Sequence, residues 1–295
     1  MSVPRRLLGI GSALARPWPM PVLDRVGRTL GRMAAVASPR RTAMLSANLH
    51  RVLPDATADE LRSLAGTGFA SYGRYWAETL RLPSLSDEVI DRRFAVEGRE
   101  HLHQTRARGF GPIVVLPHLG GWEWAAAWLT RVDHVPVTAV VERVEPADVF
   151  EWFGALRSSY GINVVPLGPG AMGHLVTAVR ACDVICLLGD RDIAGTGVPV
   201  DFFGAPASLP AGPALLSFRT GAPIHLAAVY FTDSGHRCVI GPPIWPERAG
   251  RLRDDVLGLT QRIAVGLETL IRLAPDQWHV LEPIWGRVPS VTLAP

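Results

Sequence analysis

Three ionisable residues stand directly after predicted strands. His118 follows the apolar segment IVVLP, Glu142 follows PVTAVV, and Asp190 follows VICLLG. In a parallel sheet, the carboxyl ends of the strands meet at one edge, where ligands bind. A histidine and two carboxylates at that edge have the chemistry to move a proton to or from a substrate. We therefore expect an active site there.

The motif around His118 runs from Pro117 to Glu123 and reads P-H-L-G-G-W-E. The pair Gly120–Gly121 suggests that His118 precedes a helix and that Glu123 lies in its first turns. The Glu123 carboxylate could then hold one ring nitrogen and leave the other free as a base. The amides at the helix start could stabilise an oxyanion. This spacing also leaves open a purely structural histidine at a helix entry.

A second motif, Gly168 to Gly173, has the G-x-G-x-x-G spacing of dinucleotide-binding loops. It follows the predicted strand INVVPL and opens a predicted helix, with Asp190 about 20 residues further on, as that fingerprint requires. This pattern keeps an NAD(P)-dependent oxidoreductase open as an alternative function. The motif lies in mid-chain, however, and it leaves His118 and Glu142 without a role.

The elements that must position these residues alternate along the chain. From residue 94 onward, short apolar segments alternate with helical segments, and LRDDVLGLTQRIAVGLETLIRLAP forms a long closing helix. Such alternation predicts a largely parallel sheet covered on both faces. Residues 40–82 read as two helices, punctuated at Pro54 and stopped by Pro83. We predict an α/β fold with a mostly parallel central sheet flanked by helices and a helical N-terminal region.

Composition excludes several classes of protein. Of 295 residues, 48% are hydrophobic and 19% are charged, which is typical of a chain that buries a core. No apolar run reaches the roughly 18 residues of a membrane-spanning helix. Three cysteines without framework spacing argue against an oxidised fold and against a metal site. The short N-terminal apolar stretch, broken by Arg16, reads as mature cytosolic sequence rather than as a signal peptide.

All 30 basic residues are arginines, and they are unevenly distributed. Residues 1–51 hold nine arginines and one acid, a net charge of +8, whereas the remaining 21 arginines and 26 acids give −5. Apolar residues recur at helical spacing within this basic segment, just after Trp18. These apolar residues are Val22, Leu23, Val26, Leu30 and Met33.

An arginine-rich amphipathic helix suits the surface of an anionic membrane. The alternative is an ordinary helix packed on the body with a solvated basic face. We expect no nucleic-acid partner, because the sequence shows no DNA-binding module and no aromatic platform between the charges. We therefore divide the chain into a membrane-associating segment, residues 1–38, and a single domain over residues 39–295.

Several motifs together resemble the bacterial lipid acyltransferases that include the lipid A lauroyl and myristoyl transferases. The resemblance is strongest to their phosphatidylinositol mannoside acyltransferase branch and covers about residues 40–285. The resemblance implies a fold similar to that of the glycerolipid acyltransferases. The motifs are Ser71-Tyr72-Gly73-Arg74-Tyr75-Trp76, Leu116-Pro117-His118 through Trp122-Glu123, Val141-Glu142-Arg143, Asp190-Arg191-Asp192, Val200-Asp201-Phe202-Phe203-Gly204, Leu209-Pro210-Ala211-Gly212-Pro213 and Trp278-His279.

This resemblance implies transfer of an acyl group, usually palmitoyl, from acyl-CoA to a mannose hydroxyl of a phosphatidylinositol mannoside. The enzyme would be peripheral, at the cytoplasmic face of the membrane, and would need no cofactor besides its donor substrate. By similarity, His118 is the base and Asp190 the second catalytic acid, with Glu123 beside them. The implied substrate-binding residues are Glu142, Arg143, Arg157, Arg191, Thr196 and Arg219.

The sequence departs from the family's pattern at three of these positions. The family usually has Asp where this chain has Glu123, and the mannoside branch has Glu where this chain has Asp190. A branch acid near the acyl-CoA aligns with Arg219. These changes leave open the acceptor, the acyl length, and a non-catalytic lipid-binding protein on the same fold. They also leave open which acid orients His118; we expect both carboxylates to approach its ring.

Overall fold

The computed structural model describes residues 5–142, 147–193 and 195–285. The strands are β1 (Phe94–Glu97), β2 (Ile113–Leu116), β3 (Val137–Val141), β4 (Ile162–Pro166), β5 (Val184–Leu188), β6 (Val198–Phe202), β7 (Ala205–Leu209), β8 (Ile224–Phe231) and β9 (His236–Ile240). The α-helices are α1 (Arg5–Ala15), α2 (Met20–Ala37), α3 (Pro39–Val52), α4 (Ala58–Arg81), α5 (Asp87–Arg92), α6 (Arg99–Ala107), α7 (Trp122–Arg131), α8 (Ala147–Ser159), α9 (Ala171–Arg180), α10 (Gly212–Thr220) and α11 (Leu252–Arg272). Short 3₁₀ helices cover Leu82–Ser84 and Pro275–Gln277.

The central sheet has seven strands in the order β1-β9-β8-β2-β5-β3-β4. Neighbouring strands are parallel except for the antiparallel pair β8 and β9. Strand β2 is buried along its whole length, as a central strand covered on both faces requires. The predicted fold, a mostly parallel sheet flanked by helices with a helical N-terminal region, is confirmed.

Alternating side chains of β2 divide the core into two halves. Ile113 and Val115 pack with residues of α9, α10 and α11 on one face. Val114 and Leu116 pack with residues of α7 on the other face. Because successive side chains of a strand point to opposite faces, one apolar strand supports both layers of helices.

The segment between Asp190 and α10 contains a hairpin, which the strand–helix alternation of the sequence does not predict. Strands β6 and β7 pair in antiparallel register, with Phe202 opposite Ala205. The connecting residues Phe203 and Gly204 have φ values of 52° and 70°. Two consecutive residues with positive φ are typical of the tight turn that suits a two-residue hairpin loop.

Helix α2 lies along α4 through its small residues. A Cβ atom added at Gly31 would stand 2.1 Å from the carbonyl oxygen of Phe69, so only glycine allows this close approach. This packing turns the opposite face of α2 outward, and Leu30 and Met33 are 58% and 62% exposed. Of the five apolar residues at helical spacing, Leu23 alone is buried.

The structure agrees with part of the expected alternative, a helix packed on the body with a solvated basic face, because α2 packs on α4 and Arg25 and Arg32 are exposed. The membrane contact stays a prediction. Helix α2 uses its glycine face for packing and leaves an apolar ridge in solvent. The division at residue 38 stays a prediction. Among the described residues, no helix has the length and apolarity to cross a bilayer.

Candidate active site

His118 and Asp190 meet because their strands are neighbours. Leu116 of β2 lies opposite Leu188 of β5, and each of the two polar residues follows its strand by two positions. The Nδ1 atom of His118 lies 2.6 Å from Oδ1 of Asp190, within hydrogen-bonding distance. The backbone N–H of His118 donates to the other carboxylate oxygen at 2.9 Å.

Asp190 is fully buried, yet its surroundings favour the ionised form. Its Oδ2 atom also accepts the indole N–H of Trp278 at 2.8 Å. Burial by itself raises the pKa of Asp190, but the charge of His118 and the hydrogen bonds from His118 and Trp278 together bring the pKa below its ordinary value. At neutral pH the residue is therefore a carboxylate that accepts a proton-bearing Nδ1.

The second ring nitrogen of His118 is left open. The side chain is 16% exposed, and no hydrogen bond joins its Nε2 atom to any residue that the structure describes. With Nδ1 held as an N–H by Asp190, Nε2 carries the lone pair of a neutral imidazole. This arrangement is that of a general base with an orienting carboxylate.

Glu123 is engaged elsewhere. It forms an ion pair with Arg157, whose Nε donates to Oε1 at 2.9 Å, and it accepts the hydroxyl of Tyr160 at 2.6 Å. Burial raises the pKa of Glu123, but the Arg157 guanidinium and the hydrogen bonds bring it below the usual value. In the described structure the hydrogen-bonding carboxylate on the His118 ring is Asp190, so the expectation that both acids approach the ring is corrected.

The glycine amides before α7 are already used. The N–H of Gly120 donates to the carbonyl of Gln277 at 3.0 Å, and that of Gly121 donates to the carbonyl of Val229 at 3.2 Å. These hydrogen bonds fix the loop that carries His118. They also remove these two amides as donors for an oxyanion, and a role for the amides at the start of α7 itself stays a prediction.

An apolar cavity lies between α7 and the sheet. Its lining crosses six neighbouring strands, from Ile240 in β9 to Ile162 in β4, and includes Glu123 and Arg157. The ring of Trp122 lines this cavity and lies 5.7 Å from the ring of His118. The cavity is therefore next to the His118–Asp190 pair.

The third strand end carries Glu142, which pairs with the residue after Asp190. Arg191 lies 3.5 Å from a carboxylate oxygen of Glu142 and 2.9 Å from one of Glu282. Glu142 and Arg191 are partly exposed and Glu282 is exposed, so the three residues form a polar rim at the edge where His118 stands. Arg143 lies outside the described residues.

The two remaining predicted substrate residues are Thr196 and Arg219. Thr196 is exposed, and its backbone N–H donates to Asp192 at 3.3 Å. Arg219 is exposed in the last turn of α10, shortly before β8 begins. In the connection between α10 and β8, the carbonyl of Pro223 accepts the backbone N–H of Ile113, the first residue of β2. Arg219 therefore lies at the amino edge of the sheet, opposite the edge that carries His118.

Sequence reasoning gave no role to Trp278 and His279, which are buried beside the pair, or to Tyr160, which is buried beside Glu123. The backbone N–H of His279 donates to the carbonyl of His118 at 2.7 Å, and its ring lies 2.8 Å from the hydroxyl of Ser71. Burial and the charge of His118 lower the pKa of His279 to about 3, so it is neutral. The Trp278-His279 motif marked these two residues as part of the family's pattern. Their position in the sequence, far from His118, did not predict that they contact it.

Comparison with known proteins identifies the family. The profile described as bacterial lipid A biosynthesis acyltransferase matches residues 3–287. The chain belongs to this family.

Similar curated members of this acyltransferase family include two from mycobacteria. The phosphatidylinositol mannoside acyltransferase of Mycobacterium tuberculosis (strain CDC 1551 / Oshkosh) is 35% identical over 249 residues, 82% of this chain and 76% of that protein. The one from Mycolicibacterium smegmatis is 36% identical over 244 residues, 82% of this chain and 78% of that protein. The lipid A biosynthesis palmitoleoyltransferase of Escherichia coli (strain K12) is 26% identical over 267 residues, covering 88% and 83%.

The glycine motif has another explanation in this acyltransferase. It follows β4, an edge strand, whereas Asp190 follows β5, which is not adjacent to β4. A Cβ atom at Gly173 would meet nothing within 4 Å, although the third glycine of a dinucleotide fingerprint permits close helix–strand packing. Asp190 is also bonded to His118 and Trp278 rather than facing a ribose. The motif is a connection between a strand and its helix.

Proposed function

We propose that this acyltransferase moves a long-chain acyl group, palmitoyl, from acyl-CoA to a mannose hydroxyl of a phosphatidylinositol mannoside or related glycolipid. The observation that carries the proposal is the His118 ring, held at Nδ1 by Asp190 and open at Nε2 beside an apolar cavity. The names of the two mycobacterial relatives support the acceptor class.

In this reaction, Nε2 of His118 takes the proton of the acceptor hydroxyl while the oxygen attacks the thioester carbonyl. The Asp190 carboxylate stabilises the imidazolium that forms and stays ionised. When the tetrahedral intermediate collapses, the C–S bond breaks and His118 returns the proton to the CoA thiolate. Because a thioester is already activated, the transfer proceeds directly, without a covalent acyl-enzyme.

The apolar cavity supplies the site for the acyl chain. Six strands span five spacings of about 4.8 Å, so the lining extends about 24 Å across the sheet. Burial of an acyl chain contributes about 0.8 kcal/mol per methylene. A long chain therefore anchors the donor firmly and leaves the thioester near Trp122 and His118.

The test of this function is thiol release from palmitoyl-CoA by the purified protein, with and without a phosphatidylinositol mannoside extract. We expect release that requires the glycolipid. A parallel arm with palmitoyl-acyl carrier protein identifies the thioester carrier. Binding of palmitoyl-CoA without any turnover would instead support the lipid-binding alternative, and tight NADH binding would support the oxidoreductase.

The N-terminal helices hold the enzyme at the cytoplasmic face of the membrane. Trp18, Leu30 and Met33 are exposed apolar residues of this region, and Arg25 and Arg32 are exposed beside them on α2. Apolar side chains that enter the interface next to arginines bind anionic lipid surfaces. The glycine packing of α2 on α4 leaves these side chains available for that contact.

The double variant Leu30→Gln/Met33→Gln tests this membrane contact. We expect its binding to vesicles that contain phosphatidylinositol to fall about tenfold or more, because two apolar side chains leave the interface. Leu273→Gln is the matched control, since Leu273 is 66% exposed after α11. Flotation of both proteins with vesicles measures the difference. Equal loss in both would contradict the assignment of α2 as the contact.

A further inference from the structure

A buried tryptophan stands behind the His118–Asp190 pair. The ring of Trp278 is fully buried, and its indole N–H donates to Oδ2 of Asp190 at 2.8 Å. The same oxygen accepts the backbone N–H of His118 at 2.9 Å, while Oδ1 faces the His118 ring. One carboxylate oxygen therefore serves the base, and the other is shared by two N–H donors.

The segment that carries Trp278 also fixes the loop of His118. The residue after Trp278 donates its backbone N–H to the carbonyl of His118 at 2.7 Å, and the residue before it, Gln277, accepts the N–H of Gly120 at 3.0 Å. The Gln277 side chain is in turn bonded to the backbone of Phe231 through both its oxygen and its nitrogen. One short segment thus holds both members of the pair in place relative to each other.

We propose that Trp278 is a positioning residue for the general base, and that its indole N–H sets the proton affinity of His118 through Asp190. The proposal rests on the function proposed above in that His118 is taken as the base. The indole acts at the oxygen that does not face the imidazole. It draws negative charge toward that oxygen and weakens the hold of Asp190 on a protonated His118.

Removing this hydrogen bond has a defined direction of effect. In Trp278→Phe, Asp190 keeps both contacts with His118 but loses a donor that stabilises its charge. The carboxylate then attracts the imidazolium more strongly, and the pKa of His118 rises. We expect a rise of about one pH unit, which is a tenfold change in the proton affinity of the ring.

The first test is an NMR titration of His118 without any substrate, with its signals assigned by their absence in His118→Gln. Trp285→Phe is the matched control, because the indole of Trp285 also donates a hydrogen bond, to the carbonyl of Phe202 at 3.0 Å. We expect a higher pKa of His118 in Trp278→Phe and a wild-type value in Trp285→Phe. Equal values in all three proteins would overturn the proposal.

A second readout needs no variant that could fail to fold. In ¹⁵N-tryptophan-labelled wild-type protein, the indole N–H signal of Trp278 should shift with the titration of His118, because both groups share Asp190. The indole signal of Trp285 should stay constant. A Trp278 signal that ignores the titration would overturn the proposal, whatever the enzyme's substrate proves to be.

Kinetics separate this role from a merely structural one. We expect kcat of Trp278→Phe below the pKa of His118 to fall about tenfold, with KM for palmitoyl-CoA unchanged and the acid limb of the kcat profile moved to higher pH. A fall in kcat at every pH without movement of the limb would mean that Trp278 only supports packing. If wild-type protein shows no transfer, the proposed function fails, and the two NMR readouts still decide the role of Trp278.

Discussion

Two of the histidine–carboxylate pairs in the described structure, His118–Asp190 and His236–Glu78, have the same chemistry and different surroundings. In the first, Nδ1 of His118 lies 2.6 Å from Asp190; in the second, Nε2 of His236 lies 2.7 Å from Glu78. The His236 ring is fully buried and stacked on Trp124 at 4.4 Å, and its Nδ1 has no hydrogen-bond partner among the described residues. The difference is whether a substrate can reach the second ring nitrogen. It can reach Nε2 of His118, a candidate base, but not the buried Nδ1 of His236, which belongs to a structural pair.

The carboxylate of the second pair also has a structural partner. Glu78 accepts the Nε–H of Arg74 at 2.8 Å, and the Arg74 guanidinium donates to the carbonyls of Thr232 and Gly235 in the turn between β8 and β9. Helix α4 is thereby joined to the edge of the sheet. The network around Glu78 stabilises the fold. Asp190, by contrast, accepts the indole N–H of Trp278 and orients the His118 ring.

The largest effect we expect is on activity, at His118. In His118→Gln, acyl transfer should fall about 10²–10⁴-fold because the general base is lost. The free energy of unfolding should change by less than about 1 kcal/mol, because the amide of glutamine can still donate to Asp190. Rates and urea denaturation of the same preparation measure both quantities. If His118→Gln retained acyl transfer, the His118–Asp190 pair would not be the catalytic one of the two.

The second expected effect is on stability, at His236. Replacing it in His236→Ala leaves Glu78 buried with one partner fewer, and loss of one partner of a buried pair costs about 3–5 kcal/mol. Activity per folded molecule should fall by less than tenfold, since the ring cannot reach a substrate. Urea denaturation and transfer assays at low temperature test this. A loss of activity as large as that of His118→Gln, with the fold intact, would make the two pairs equivalent.

The smallest effect concerns pH. Burial raises the pKa of Glu78, but His236 and Arg74 bring it from 4.5 down to about 2. Because this pKa is lower in the folded chain, the pair stabilises the fold above about pH 4.5, and this contribution is lost as pH falls toward 2. Between pH 5 and 3, wild-type protein should lose about 2 kcal/mol more than Glu78→Gln. Urea denaturation of both proteins at each pH measures this. If the free energies of unfolding of wild-type protein and Glu78→Gln fell equally between pH 5 and 3, the low pKa of Glu78 would be contradicted.

The fold followed from sequence because its signals are local. Strand–helix alternation from residue 94 onward predicted the parallel sheet, and the strand ends placed His118, Glu142 and Asp190 at one edge. The hairpin of β6 and β7 was missed, since its prolines and glycines resemble a loop. The sequence predicted an amphipathic α2 but not how it packs, because the glycine contacts with α4 depend on a segment far along the chain.

The partners of the site residues depend on contacts far apart in the chain. Spacing favoured Glu123 as the acid beside His118, but the helix points that carboxylate at Arg157, which comes from α8. Asp190 reaches His118 through strand order, and Trp278 reaches Asp190 from the segment after α11. A single sequence contains no record of these pairings.

The most direct measurement is the mass of the glycolipid after reaction with palmitoyl-CoA, for wild-type protein and His118→Gln side by side. We predict that wild-type protein adds one acyl chain to the mannoside lipid for each thiol released, and that His118→Gln adds almost none while remaining folded. An unchanged lipid with the wild-type protein, or an equal yield from the variant, would contradict the account.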